Sequence, residues 1–181
     1  MTSPRARVEL RSPTPADRDE FLAAMRASGK LRRPWLRSPI TPEAYDRLLA
    51  RAEADRYDPL LVCLRDHGAI VGYFNISEII RGFFQSAFLG YGAVAAYAGH
   101  GYMSDGLELV LGRAFTELRL HRLEANIQPG NAASIALVET AGFVRAGFSE
   151  RYLKIGGRWR DHEHWAIRAE QWRERNRRRV R

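Results

Sequence analysis

Residues 94–103, Val-Ala-Ala-Tyr-Ala-Gly-His-Gly-Tyr-Met, join a stretch with the period of a strand to one with the period of a helix. The junction carries Gly99 and Gly101, with His100 between them. Glycine lets a backbone come close to a ligand. A helix that starts just beyond adds unpaired N–H groups and a partial positive charge. The junction therefore suits a phosphate cradle, with the backbone N–H groups of Ala98 to Met103 doing the holding. The bland alternative for the two glycines is an ordinary tight turn between strand and helix.

The period of the apolar residues predicts the elements on either side. Val8–Arg11 reads as a first short strand. Thr14-Pro15-x-Asp17 and Thr41-Pro42-Glu43 each start a helix, with threonine as N-cap and proline in the first turn. Phe21, Leu22 and Met25 form the apolar stripe of the first helix, and Tyr45, Leu48, Leu49 and Ala52 that of the second. A loop from Gly29 to Ile40 lies between them. Leu60–Arg65 and Ile70–Glu78 read as strands joined at Asp66-His67-Gly68, and Gln85–Val94 as a third member of the meander. Gly101–Leu118 is predicted as a helix, Arg122–Gln128 as a strand and Ala132–Ala141 as a helix stopped by Gly142. Tyr152–Ile155 and Trp159–Ile167 form a final hairpin about Gly156-Gly157. This order of strands and helices predicts a mixed α/β sheet with helices on both faces.

One domain over residues 1–167 and a basic tail over 168–181 are expected. The chain carries a formal net charge of +8, of which residues 168–181, with seven Arg and two Glu, supply +5. That tail is either a contact for ribosomal RNA or an acidic partner, or a solvated, frayed end. No membrane-spanning run and no signal-peptide pattern at Met1–Arg11 are found, so a cytoplasmic protein is expected. The lone Cys63, inside an apolar run, reads as a buried structural thiol.

Several short patterns taken together resemble the GNAT acyl-CoA N-acyltransferase superfamily, and more closely its RimJ/RimL branch of ribosomal-protein N-terminal acetyltransferases. They are Leu31-x-x-Pro34-Trp35, Leu89-Gly90-Tyr91, Gly99-His100-Gly101-Tyr102-Met103, Leu120-His121-Arg122-Leu123-Glu124-Ala125, Asn131-x-x-Ser134, Gly142-Phe143 and Trp159-x-Asp161-His162. The resemblance implies a GNAT fold with a mostly antiparallel twisted sheet of about seven strands. It implies acetyl-CoA as a substrate lying in a V-shaped gap between the fourth and fifth strands, and no metal. The pyrophosphate would rest on Val94, Ala95, Ala96 and Gly99 to Met103. At the first position of the family's loop, usually Gln or Arg, this chain has Ala96.

The reaction so implied is attack of an amine on a thioester. It needs a neutral amine, a polarised carbonyl and help for the leaving thiolate. At neutral pH roughly a tenth of α-amines are neutral, against well under a thousandth of lysine amines, so an N-terminal acceptor needs only a modest base. The carbonyl would be polarised by N–H groups near Val94 and Ala95. The fourth strand holds no acid where many relatives have a glutamate, which leaves Glu124 as the candidate base and Glu78 as second choice; each is equally readable as a rim carboxylate paired with arginine. Many relatives place a tyrosine acid at the position of Val138. By resemblance Ser134 substitutes for it, and Asn131 bonds the pantetheine arm or a water; both also read as helix capping. Trp35, Tyr91 and Tyr152 are the residues expected on the acceptor side. His162-x-His164 is a poor metal pair, and Asp161 with His162 reads as orienting the hairpin. The acceptor is a protein N-terminus beginning with Ala or Ser, or a small amine; a non-enzymatic RNA-binding role is the third reading. Monomer and homodimer are both open.

Overall fold

The alternation within residues 57–64 shows how the core is divided. Leu60, Val62 and Leu64 bury on one side of their strand, and Leu61 and Cys63 on the other. A strand buried on both faces reads as an unbroken apolar run, and layers must cover both sides. The computed structural model describes residues 7–33 and 35–180, so residues 1–6, Pro34 and Arg181 lie outside the described residues.

Seven strands form one sheet: β1 (Val8–Arg11), β2 (Tyr57–Leu64), β3 (Ile70–Ile80), β4 (Ser86–Ala93), β5 (Arg122–Ile127), β6 (Val144–Ile155) and β7 (Arg158–Arg168), in the order β1-β2-β3-β4-β5-β7-β6. All neighbours pair antiparallel except β4 and β5. Helices α1 (Arg18–Ala27) and α3 (Pro42–Ala52) cover one face, where Phe21, Met25 and Tyr45 pack on Cys63, Ile70 and Tyr73. Helices α4 (Tyr102–Gly112) and α5 (Ala132–Thr140) cover the other, where Leu107, Leu111 and Val138 pack on Phe74, Leu123 and Ile127. A short helix α2 (Gly29–Arg32) stands inside the expected loop. The mixed sheet with helices on both faces is as expected.

Both threonine starts are found. Thr41 accepts a hydrogen bond from the Ala44 N–H (3.3 Å) at the head of α3. Thr14 heads a 3-10 turn, Pro15–Asp17, in which the Asp17 carboxylate accepts from the Thr14 N–H and hydroxyl, both at 2.8 Å, before α1 begins. The expected helix over Gly101–Leu118 is α-helical only to Gly112; Arg113–Glu117 widens into a π turn, with Arg113 paired to Asp58 (2.6 Å) and Glu117 (2.7 Å).

Two expectations need correction. The last hairpin does not begin at Tyr152: β6 starts at Val144 and is an edge strand of 12 residues. Nor is the basic tail a frayed end. Ala169–Val180 is a helix, α6, whose Trp172 ring lies 5.7 Å from Phe115 and whose Arg175 pairs with Glu108. An apolar anchor every turn is not needed when one large aromatic and one ion pair tie the helix down.

Candidate active site

Strands β4 and β5 pair over only three positions, Ser86 with Arg122, Ala87 with Leu123 and Phe88 with Glu124. Beyond Phe88 they part, so the backbone of Leu89–Ala93 has β3 on one side only. The phase of the β3–β4 ladder follows from the Val94 N–H, which donates to the Val71 carbonyl at 2.9 Å. Counting back by the alternation of an antiparallel pair, the N–H groups of Ala93 and Tyr91 point away from β3 and into the gap. Val94 and Ala95 cannot serve as carbonyl-polarising donors: the Val94 N–H is in the ladder, and the Ala95 N–H donates to Ser28 Oγ at 2.9 Å. Val94 is also 4% exposed and packs in the α1/α3 layer.

A groove of about 470 Å³ leads into the gap, walled by the loop before α4 on one side and by α5 on the other. Gly99, Gly101, Tyr102 and Met103 line it; Ala96 and His100 do not. Gly99 (φ 80°) and Gly101 (φ 79°) hold the left-handed backbone that glycine favours. Among the described residues the N–H groups of Gly99 to Met103 have no backbone partner, whereas the Ala98 N–H is spent on the Ala95 carbonyl at 3.2 Å. His100 is stacked on the Tyr102 ring, 5.7 Å away, and its Nδ1 lies 3.1 Å from the Ala98 carbonyl. Arg7 flanks the same loop, donating to the His100 carbonyl (3.0 Å) and pairing with Asp105 (2.8 Å).

At the inner end of the groove the Tyr91 and Ser134 hydroxyls meet at 2.5 Å. Period two brings Tyr91 over Phe74 (5.4 Å between rings), and the first turn of α5 brings Ser134 to it. Asn131 caps that turn, its Oδ1 accepting from the Ser134 N–H at 3.3 Å. Burial pushes the Tyr91 phenol up to about 12, against a smaller opposing effect of its bond to Ser134. Val138 is fully buried in the core, so α5 aims no side chain from that position at the gap. The phenol comes from β4 instead.

Past this pair lies a smaller cavity of about 80 Å³ in the strand gap, bounded by Trp35, Gly90, Asn126, Gln128 and His162 together with Tyr91 and Ser134. Gly90 matters here because nothing stands within 4 Å of where its Cβ would be. Trp35 belongs to both cavities; its carbonyl accepts from Gln128 Nε2 at 3.0 Å, and its ring limits Gly130. His162 is 3% exposed, and its Nδ1 lies 2.9 Å from the Arg160 carbonyl. Burial holds its imidazole below the ordinary histidine value, with the bond to Arg160 opposing.

The carboxylates sit elsewhere. Glu124 shares the face of Asn126 and Gln128 but is tied to Arg122 at 2.7 Å and lies 3.5 Å from His164 Nδ1; it lines neither cavity. Glu78 lies at the bulge between Ser77 and Ile80, at the closed end of the gap, exposed and paired with Arg56 at 3.5 Å. Tyr152 lines neither cavity and packs edge-on to His164 at 4.7 Å. His164 itself is engaged at both nitrogens, with Asn126 Oδ1 (2.5 Å) and Ser149 Oγ (2.8 Å). The residue that sequence reasoning placed in the hairpin rather than in the site is His162. The signal for it was present: two histidines at period two on a strand share one face, and that face also carries Asn126 and Gln128. Among the described residues no group of three metal-ligating side chains is gathered, and no helix is long and apolar enough to cross a membrane.

Residues 7–144 match the family described as the acetyltransferase (GNAT) domain. The probable N-acetyltransferase YjcK of Bacillus subtilis is 42% identical over 98 residues, 54% of this chain and 54% of that protein. The ribosomal protein uS5-alanine N-acetyltransferase of Escherichia coli is 34% identical over 107 residues, 59% of this chain and 55% of the enzyme. The match thus spans about half the length of these curated relatives. Among solved structures, Mycobacterium smegmatis RimJ in complex with CoA-disulfide superposes with a TM-score of 0.82 at 30% identity, covering 90% of this chain and 82% of that one. Spermidine N-acetyltransferase from Vibrio cholerae in complex with CoA and spermine superposes with a TM-score of 0.79 at 18% identity, covering 93% of this chain and 99% of the other, which is a likeness of fold alone.

Proposed function

The chain belongs to the GNAT acetyltransferase family, and on that premise we propose that it transfers an acetyl group from acetyl-CoA to the α-amine of a protein N-terminus beginning with Ala or Ser. The observation that carries the transfer is the parting of β4 from β5 at the head of the 470 Å³ groove. A thioester entering there meets two inward N–H groups, those of Tyr91 and Ala93, in place of a neighbouring strand. The unpaired N–H groups of Gly99 to Met103 suit the pyrophosphate. Arg7 braces that loop through the His100 carbonyl while paired with Asp105.

The Tyr91–Ser134 pair faces the sulfur. A phenol at about 12 stays protonated beside a thiolate whose acid has a pKa of about 8.5, so it stabilises the leaving group by hydrogen bonding and keeps its proton. The choice of a protein N-terminus follows the uS5-alanine enzyme and RimJ, two relatives at 30% identity or above. The inner cavity, about 80 Å³, has room for an α-amine with a methyl or hydroxymethyl side chain.

Mass spectrometry of the protein with acetyl-CoA, Ala- and Ser-initiated peptides and spermidine tests this. One acetyl group on the α-amine of the peptides is expected. Labelling of spermidine alone would reassign the acceptor to a small amine, and labelling of neither would remove the transferase reading.

A further inference from the structure

We propose that His162 takes the proton from the attacking amine, the role expected of a carboxylate. This rests on the acyl-transfer reading above and adds the base that neither Glu124 nor Glu78 is placed to supply. A carbonyl only accepts, so the Nδ1 that lies 2.9 Å from the Arg160 carbonyl carries the hydrogen. The neutral ring then has its lone pair on Nε2. Among the described residues no hydrogen bond reaches Nε2, although the side chain is buried and borders the 80 Å³ cavity. A buried basic nitrogen normally has a partner, and one left open toward a cavity is a place for a ligand's N–H.

Burial, and after it His164, favour the neutral ring, against the bond to Arg160 and the charge of Asp161. His164 is two residues along β7 on the same face and Asp161 precedes it; β6 supplies Tyr152, whose ring is 6.1 Å away, and β4 supplies Tyr91. Glu124 is drawn toward His164 and Arg122 rather than His162. The Asp161 carboxylate is occupied by the Arg151 N–H at 2.8 Å. A histidine that stays neutral at pH 7 can accept a proton from an ammonium-like nitrogen as the bond to carbon forms.

The step balances without any further reactant. The amine nitrogen attacks the thioester carbonyl carbon, the N–C bond forms, and the C–S bond breaks with its electron pair leaving on sulfur. The proton lost from nitrogen goes to His162 Nε2. The imidazolium then returns it to the thiolate, directly or through water, and the products are the amide and the thiol.

Two measurements test this. Long-range 15N–1H NMR of histidine-labelled protein, with His162 assigned by loss of its signal in His162→Gln, is expected to show the neutral Nδ1–H form at pH 7. An Nε2–H tautomer or an imidazolium at that pH overturns the proposal, whatever the acceptor is. In kinetics with acetyl-CoA and an Ala-initiated peptide, His162→Gln should lower kcat/KM about 100-fold or more. Its acetyl-CoA Kd should stay within about threefold of wild type, and the acid limb of the pH profile should disappear. A variant with the wild-type rate and profile refutes the role. If wild type acetylates spermidine and not the peptide, the N-terminal reading fails and His162 is judged by the same comparison on spermidine. If it acetylates neither, both readings fall.

Discussion

Consider what removing the Tyr91 hydroxyl does. With the phenol pushed up to about 12 and a thiol near 8.5, handing its proton to the leaving sulfur is uphill by about 3.5 pKa units, or about 5 kcal/mol. The serine hydroxyl at 2.5 Å is a weaker acid still. Neither group then acts by giving up its proton; the pair acts as one donor aimed at developing negative charge. A hydrogen bond to a charged group contributes about 1.5–3 kcal/mol, so Tyr91→Phe should lower kcat roughly 10- to 100-fold. The acetyl-CoA Kd should change by less than about threefold. Ser134→Ala removes the phenol's partner but leaves the phenol, which still has the Ser134 carbonyl at 3.4 Å. Its cost should be smaller, about three- to tenfold, and the double variant should resemble Tyr91→Phe rather than the product of the two. Steady-state kinetics with acetyl-CoA and an Ala-initiated peptide, with direct titration of acetyl-CoA binding, read all of this. The reasoning is refuted if Ser134→Ala costs as much as or more than Tyr91→Phe, since Ser134 would then be the donor in its own right. It is also refuted if Tyr91→Phe is within threefold of wild type.

Gly90→Val fills space in which nothing stands within 4 Å of the added Cβ, so the fold should hold while the acceptor KM rises about tenfold or more and acetyl-CoA affinity is unchanged. Gly101→Ala must hold φ 79° with a side chain, at about 1–2 kcal/mol, and its Cβ falls 3.1 Å from the Arg7 guanidinium; thermal denaturation should show the loss and calorimetry a weaker acetyl-CoA affinity. Trp172→Ala should cost about 2 kcal/mol, measured by urea unfolding, because α6 leans on Phe115 through that ring. Stability should also fall as pH drops. The folded His162 titrates below its unfolded value, so from about 6.5 downward the unfolded chain binds the extra proton. His162→Gln should flatten that part of the stability–pH curve, which unfolding at pH 5 and 7 would show.

Much of the architecture was legible because its signals are local. Thr14 and Thr41 mark helix starts by their own hydroxyls and the prolines beside them, and β2 to β5 carry their burial in their period. The first half of β6 was not legible for a physical reason. It is an edge strand exposed on both faces, with bulges between Arg145 and Gly147 and between Ser149 and Leu153 that shift the period twice. The composition of α6 hid it likewise: most of its residues are charged, and Trp172 with Arg175 sets where it docks. In the site, the glycine loop and the Asn131–Ser134 turn are short-range features and were readable. Tyr91 against Ser134 and His162 against the gap join strands and helices far apart in sequence, and only the packing brings them together. The inward donors fall at Tyr91 and Ala93 rather than at Val94 and Ala95 because the phase of a ladder is set by the partner strand, not by the strand itself.

The three residue pairs between β4 and β5 have one more consequence. The sheet is two panels, β1 to β4 and β5 to β7, stitched along a short seam at one end, with the rungs missing at the other. A pantetheine chain laid in the opening would supply some of those rungs with its own amides. Occupancy would then be legible as cohesion: the two panels should melt as one unit when the opening is filled. At a ligand concentration of 100 times Kd, linkage sets the added stability at about 2.7 kcal/mol, so a melting curve becomes a binding assay that needs no acceptor at all.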